Sequence, residues 1–174
     1  MARAVTRSGL LCALMSLLLL VPVAAAAQSL QDVLQRHAGE VADPGRRTVG
    51  PVIDDLVASG LPGVPDFLTA WAAREVVQRI EDGLFFIAEE TGGDRLTLFD
   101  IASGAPVSRD VPEDAVEEVR PNGGVQRVIG TALVQFQLSD PDIAVRRDAV
   151  QALARSLEPD QTAPLERSIP GEDD

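Results

Sequence analysis

The chain has no tyrosine and no lysine, and only one cysteine, one histidine and one tryptophan in 174 residues. Each shortage removes a class of chemistry. Cys12 is the single cysteine and lies in the N-terminal apolar run, so residues 28–174 hold no disulfide framework and no thiolate. His37 has no cysteine or second histidine to share a metal with, and reads as an ordinary surface residue. A Ser-His-Asp or Cys-His relay has too few parts to be built. The glycine pairs Gly92-Gly93 and Gly123-Gly124 lack the strand–loop–helix setting of a phosphate cradle. Acids are the one abundant resource, in Glu89-Glu90, Glu113-Asp114, Glu117-Glu118 and Glu172-Asp173-Asp174. None follows the D-x-D-x-D-G pattern of a calcium loop and nothing marks two of them as a glycosidase pair, so they read as solvated faces. These shortages lead to a protein that is not an enzyme and needs no metal or cofactor.

The first 27 residues have the three-part layout of a secretory signal peptide. Arg3 and Arg7 precede the apolar run from Leu10 to Val23, Pro22 breaks it, and Ala25 and Ala27 form an A-x-A site before Gln28. The run is short for a membrane span. The leader holds two of the fifteen basic residues and none of the 27 acidic ones, so residues 28–174 carry 13 against 27, a charge of −14. An exported, strongly acidic domain is a poor match for nucleic acid or an anionic membrane.

Helical patterning organises both ends of the remainder. Residues 139–157 read as an amphipathic helix with Asp140 as N-cap, Pro141 at N1, and Val145, Ala149, Ala152, Leu153 and Ser156 on one face. Arg146-Arg147 lies off that face, placed to hold an anion or an acid of a neighbouring unit. Residues 159–169 would fold back as its partner. Asp43-Pro44 begins a second copy in which Val52, Ile53 and Leu56 stand where Ala149, Val150 and Leu153 stand later. Its partner helix is read over 66–80, with Phe67, Leu68, Trp71, Val76 and Ile80 apolar and Trp71 a buried anchor. Further helices are read over 28–41, 112–119 and 125–138.

Between them, residues 83–88, 95–101 and 105–107 are β-prone runs separated by Gly/Asp-rich turns, a hairpin or three-stranded meander. Phe67, Phe85, Phe86 and Phe99 place most of the aromatic mass where this meander meets the first helical pair. The fold expected from these patterns is mainly α: a HEAT-like α-solenoid of helix pairs with a small β insertion. Its divisions are a signal peptide at 1–27, a helical unit at 28–82, the insertion at 83–111, a second helical unit at 112–169, and a truncated or disordered tail at 170–174. Trp71, Phe85, Phe86, Arg146 and Arg147 are the candidate interaction or core residues, and no catalytic residue is named.

Taken in order, the chain resembles the exported N-terminal region of the urea ABC transporter permease, B subunit. The resemblance runs from Gln28 to Ile169 and rests on the sequence of motifs: an L-F strand near Phe85, a D-x-x-x-G-x-P turn from Asp100 to Pro106, a V-R-x-N segment from Val119 to Asn122, and a D-P-x-x-x-V-R helix start from Asp140 to Arg146. It implies a non-enzymatic periplasmic domain in urea uptake. Its implied partners are ABC permease subunits and a periplasmic substrate-binding protein. The membrane-spanning permease portion of that family has no counterpart after the leader, so the chain reads as a fragment or as a free-standing secreted adaptor for another envelope protein.

Overall fold

The computed structural model describes residues 29–155 and 161–169. The expected leader, its cleavage residues Ala25, Ala27 and Gln28, Ser156 and the tail at 170–174 lie outside them.

The first helix, α1 (Leu30–Arg36), starts at a capping box. Ser29 Oγ accepts from the Asp32 N–H at 3.1 Å, and Asp32 Oδ2 accepts from the Ser29 N–H at 2.9 Å. A break at His37 leads into α2 (Ala38–Ala42). Helix α3 (Val49–Ser59) ends at Gly60, whose φ of 62° is the left-handed conformation glycine adopts freely. Helix α4 (Val64–Ala73) follows, with Pro65 in its first turn.

Here the expected helix over 66–80 is corrected. It stops at Ala73, because Arg74 turns left-handed (φ 67°) and the Glu75 N–H bonds back to the Ala70 carbonyl. Val76-Val77, β-branched and apolar on both sides, then enters strand β1 (Val76–Arg79). Strands β2 (Phe85–Glu90), β3 (Arg95–Phe99) and β4 (Pro106–Pro112) follow as an antiparallel meander. Residues 112–119 are also not an α-helix. A 3₁₀ turn at Glu113–Ala115 leads directly into β5 (Val116–Glu118), which pairs with β1.

The sheet order is therefore β4-β3-β2-β1-β5, every neighbouring pair antiparallel. This overturns the mainly α solenoid. The molecule is mixed α and β, and its sheet takes β1 and β5 from segments whose short apolar runs read equally well as helix.

The sheet cannot be flat. Its edges β4 and β5 are four strand spacings apart, about 19 Å, but four residue steps from Pro112 to Val116 reach at most about 14 Å. The Glu113 N–H bonds to the Asp94 carbonyl in the β2–β3 hairpin, and the Ile80 N–H in the β1–β2 turn bonds to the Ala115 carbonyl. One short crossing thus joins both hairpin ends, and the sheet coils around it.

Coiling gives the sheet two cores. Val76, Phe85 and Ile101 face the helices, joining Leu34, Leu56, Phe67, Trp71, Val125 and Ile129. Val77, Phe86, Leu96, Leu98 and Val116 fill the concave face. Helix α5 (Gly123–Leu138), capped by Asn122 through the Gly124 and Val125 N–H groups, crosses the main core. Its far end meets α6 (Ile143–Arg155) and α7 (Thr162–Ser168) at Leu138, Ala149, Leu153 and Leu165.

The helical reading of α6 holds with two changes. The cap is shifted, since Asp142 accepts from the Ala144 N–H while Asp140 accepts from the Asp142 N–H. Ala149 and Leu153 are buried, but Val145 and Ala152 are exposed.

Candidate interaction groove

The open mouth of the coiled sheet is a groove of about 1030 Å³. The start of β1, the end of β2, the β2–β3 hairpin, the 113–115 crossing and β5 surround it. Its apolar floor is Val77, Ala88 and Leu96, which continue the concave core outward. Its walls carry Glu75, Glu90, Asp94, Glu113, Asp114, Glu117 and Glu118 against Arg74, Arg95 and Arg120.

Two of these arginines are engaged. Arg120 Nε donates to Glu118 Oε2 at 2.6 Å, and Arg95 Nη1 donates to the Asp110 carbonyl at 3.1 Å. The Arg120 guanidinium holds the Glu118 carboxyl below its ordinary value, and the carboxylate in turn raises Arg120. The other six carboxylates make no ion pair among the described residues. The groove is a negative surface with an apolar base. At the opposite end of the sheet, Arg79 lies 4.5 Å from the Phe86 ring centre and bonds Asp82, keeping that carboxyl low.

The sequence-named residues do not form one site. Trp71 is fully buried, with its ring 5.5 Å from Phe67, and its Nε1 has no hydrogen-bond partner among the described residues. Phe85 lies in the same core, whereas Phe86 points to the concave face, so the expected aromatic cluster is divided by the sheet. Phe99 is half-buried opposite Ile87. Arg146 Nη1 donates to the Asp140 and Pro141 carbonyls, and Arg147 is exposed on α6, both remote in sequence from the groove-lining residues. His37 Nε2 sits 2.9 Å from Asp55 Oδ2, which Arg36 also approaches, and the His37 hydrogen bond is the main cause that lowers the Asp55 carboxyl.

The groove was not visible as a unit in the sequence. Glu90, Glu113-Asp114 and Glu117-Glu118 were identifiable only as separate acidic runs, and Glu89 turns to the opposite sheet face beside Thr97. Also unmarked was Gln31. Its Nε2 donates to the Phe85 carbonyl at 2.9 Å and its Oε1 accepts from the Phe85 N–H at 3.1 Å, so the amide completes the ladder where β3 has ended. Gln35, one turn on, donates to the Gly83 carbonyl at 2.8 Å.

Among the described residues no group of three or more His, Cys, Asp or Glu is placed to hold a metal ion, and no helix is long and apolar enough to cross a membrane. Comparison with protein families, with curated proteins and with solved structures gave no match.

Proposed function

We propose that this chain is a non-enzymatic, exported protein-interaction domain that serves a urea-type ABC permease. Its contacts are with permease subunits or the periplasmic substrate-binding protein. The observation that carries the interaction reading is the groove, where six carboxylates with no ion pair among the described residues surround an apolar floor. Such a surface fits a charged polypeptide better than a small apolar ligand. Association with urea uptake rests on the order of motifs from Phe85 to Arg146. That order does not depend on a helical solenoid.

The test is fractionation and co-purification of the native product, detected with an antibody to residues 28–174. The proposal expects it at the periplasmic face of the inner membrane, copurifying with permease or binding-protein subunits. Recovery as a free periplasmic protein without those subunits favours a secreted adaptor for another envelope protein. A hydrolytic activity lost on replacing the groove acids would refute the non-enzymatic assignment.

A further inference from the structure

The two edges of the coiled sheet differ in what they leave open. Strand β4 begins and ends with proline, at Pro106 and Pro112, and Asp110 within it is left-handed (φ 57°). Proline and a local break in twist are devices that prevent another strand from adding to an edge. Strand β5 has neither between Val116 and Glu118.

The register of β5 on β1 shows which backbone groups face outward. The Val119 N–H bonds to the Val76 carbonyl and the Ile80 N–H bonds to the Ala115 carbonyl, so 119–76 and 115–80 are the hydrogen-bonded pairs. Antiparallel alternation then turns Glu117 towards β1 and Val116 and Glu118 away from it. The Val116 N–H is used locally, by the Glu113 carbonyl. The Val116 carbonyl and both backbone groups of Glu118 have no backbone partner among the described residues. This unpaired edge borders the groove, because Val116, Glu117 and Glu118 are part of its wall.

We propose that β5 receives an extended, arginine- or lysine-bearing segment of a protein partner as a sixth strand, with the segment's basic side chains over the groove. The proposal rests on the interaction reading above and names the partner's chemistry. Backbone pairing to Glu118 and Val116 sets the register, while Glu75, Glu90, Asp94, Glu113, Asp114 and Glu117 supply the complementary charge. The side chains between the basic ones turn to the outer face of the added strand, where β-branched residues suit its extended conformation. Two other candidates carry less. The apolar outer face of α6 at Ile143 and Val150 is too small for a stable dimer, and nothing in the structure shows what covers the cleft between α3, α5 and α7.

The experiment uses the full processed chain and an eight-residue synthetic peptide of alternating Lys/Arg and Val. Two controls accompany it: an acidic counterpart, and the same basic peptide N-methylated at alternate backbone nitrogens. Binding is followed by calorimetry and by the amide signal and hydrogen exchange of Glu118. The expected result is binding by the basic peptide alone that weakens at least tenfold between 50 and 300 mM salt, on the order set by screening. The Glu118 amide should shift and exchange at least tenfold more slowly, the N-methylated peptide should bind at least tenfold more weakly, and the exposed double change Glu113→Lys/Glu117→Lys should lose binding with unchanged melting. Equal binding of methylated and unmethylated peptides, no change at the Glu118 amide, or no binding at low salt would each overturn it. Co-purification with envelope subunits is scored separately. Its survival in the Glu113→Lys/Glu117→Lys variant would leave the domain's function standing and sink the β5 edge as its docking site.

Discussion

Replacing Gly63 by alanine should destabilise the protein even though the backbone there is ordinary. Gly63 precedes α4 with φ −76° and ψ −4°, a conformation alanine adopts without strain. The obstacle is a neighbour. A Cβ would stand 2.9 Å from Ala102 Cα and 3.0 Å from its carbonyl oxygen. Comfortable carbon contacts begin near 3.5 Å, so one chain must move by roughly half an ångström or more. The atoms in the way are backbone, and they are held from both sides. Ile101 is 2% exposed in the main core, and Asp100 Oδ1 accepts from the Ala102 N–H, the Ser103 N–H and the Ser103 hydroxyl. Overpacking of this kind costs about 1–3 kcal/mol. Alanine is also a poorer N-cap than glycine, while restricting the unfolded chain returns about 0.4–1 kcal/mol. The net expectation is a loss of about 1–2 kcal/mol.

The internal control is Gly130→Ala. Gly130 lies inside α5 with nothing within 4 Å of its would-be Cβ, so the same substitution should stabilise by up to about 1 kcal/mol. Urea titration followed by emission of Trp71, the single tryptophan, measures both variants against the parent chain. The two midpoints should move in opposite directions at constant slope. A Gly63→Ala chain as stable as the parent would refute the close packing of the α3–α4 turn on the β3–β4 loop.

Three further outcomes are expected. Gln31→Ala leaves the Phe85 N–H and carbonyl unpaired and should cost about 1–3 kcal/mol, with faster hydrogen exchange at Phe85; Gln31→Ala without that faster exchange would mean the amide bridge is dispensable. Trp71→Ala should cost about 3–5 kcal/mol because the indole is fully buried, and the parent's emission should be strongly blue-shifted; altered partner binding at unchanged melting would reassign Trp71 from core to contact. Stability should fall on acidification below about pH 4, as Asp82 and Asp100, both held below the ordinary carboxylate value by hydrogen bonds from Arg79 and Ser103, become protonated. The sign follows from their depressed folded pKa values: their contribution is complete above the unfolded value and is lost as pH passes down through the folded one. An Asp82→Asn/Asp100→Asn chain should show a shallower acid limb, and an unchanged limb would contradict this.

Local pattern settled most of the helices. The capping box is visible as Ser29 followed by Asp32, and the buried stripes Val52-Ile53-Leu56 and Val125-Ile129-Ala132 have helical spacing. The helix that carries Val52, Ile53 and Leu56 runs from Val49 to Ser59, starting six residues after Asp43 of the Asp43-Pro44 pair that opens the second copy. The central hairpins could be read because Gly92-Gly93-Asp94 and Ser103-Gly104 separate runs of β-branched and aromatic residues, and three of those turn positions are in fact left-handed glycines. What failed were the four-residue and three-residue strands, β1 and β5, that pair with each other along one side of the sheet. A run as short as Val76–Arg79 or Val116–Glu118 has no period of its own, and only its hydrogen-bonded partner decides its conformation.

Composition alone determined the strong negative charge, the lack of disulfides and the poverty of nucleophilic and metal-binding groups in residues 28–174. Whether the acids would be separate solvated patches or one surface was beyond it. Glu75 and Glu117 are more than forty residues apart, and they line one groove because β5 returns along β1 after a crossing too short to leave the sheet flat. Strand alternation turns Phe85 and Phe86 to opposite faces, and only the tertiary structure makes each of those faces a core. Local propensities act over a few residues, whereas strand pairing and sheet closure join distant ones, and the groove exists only at that second level.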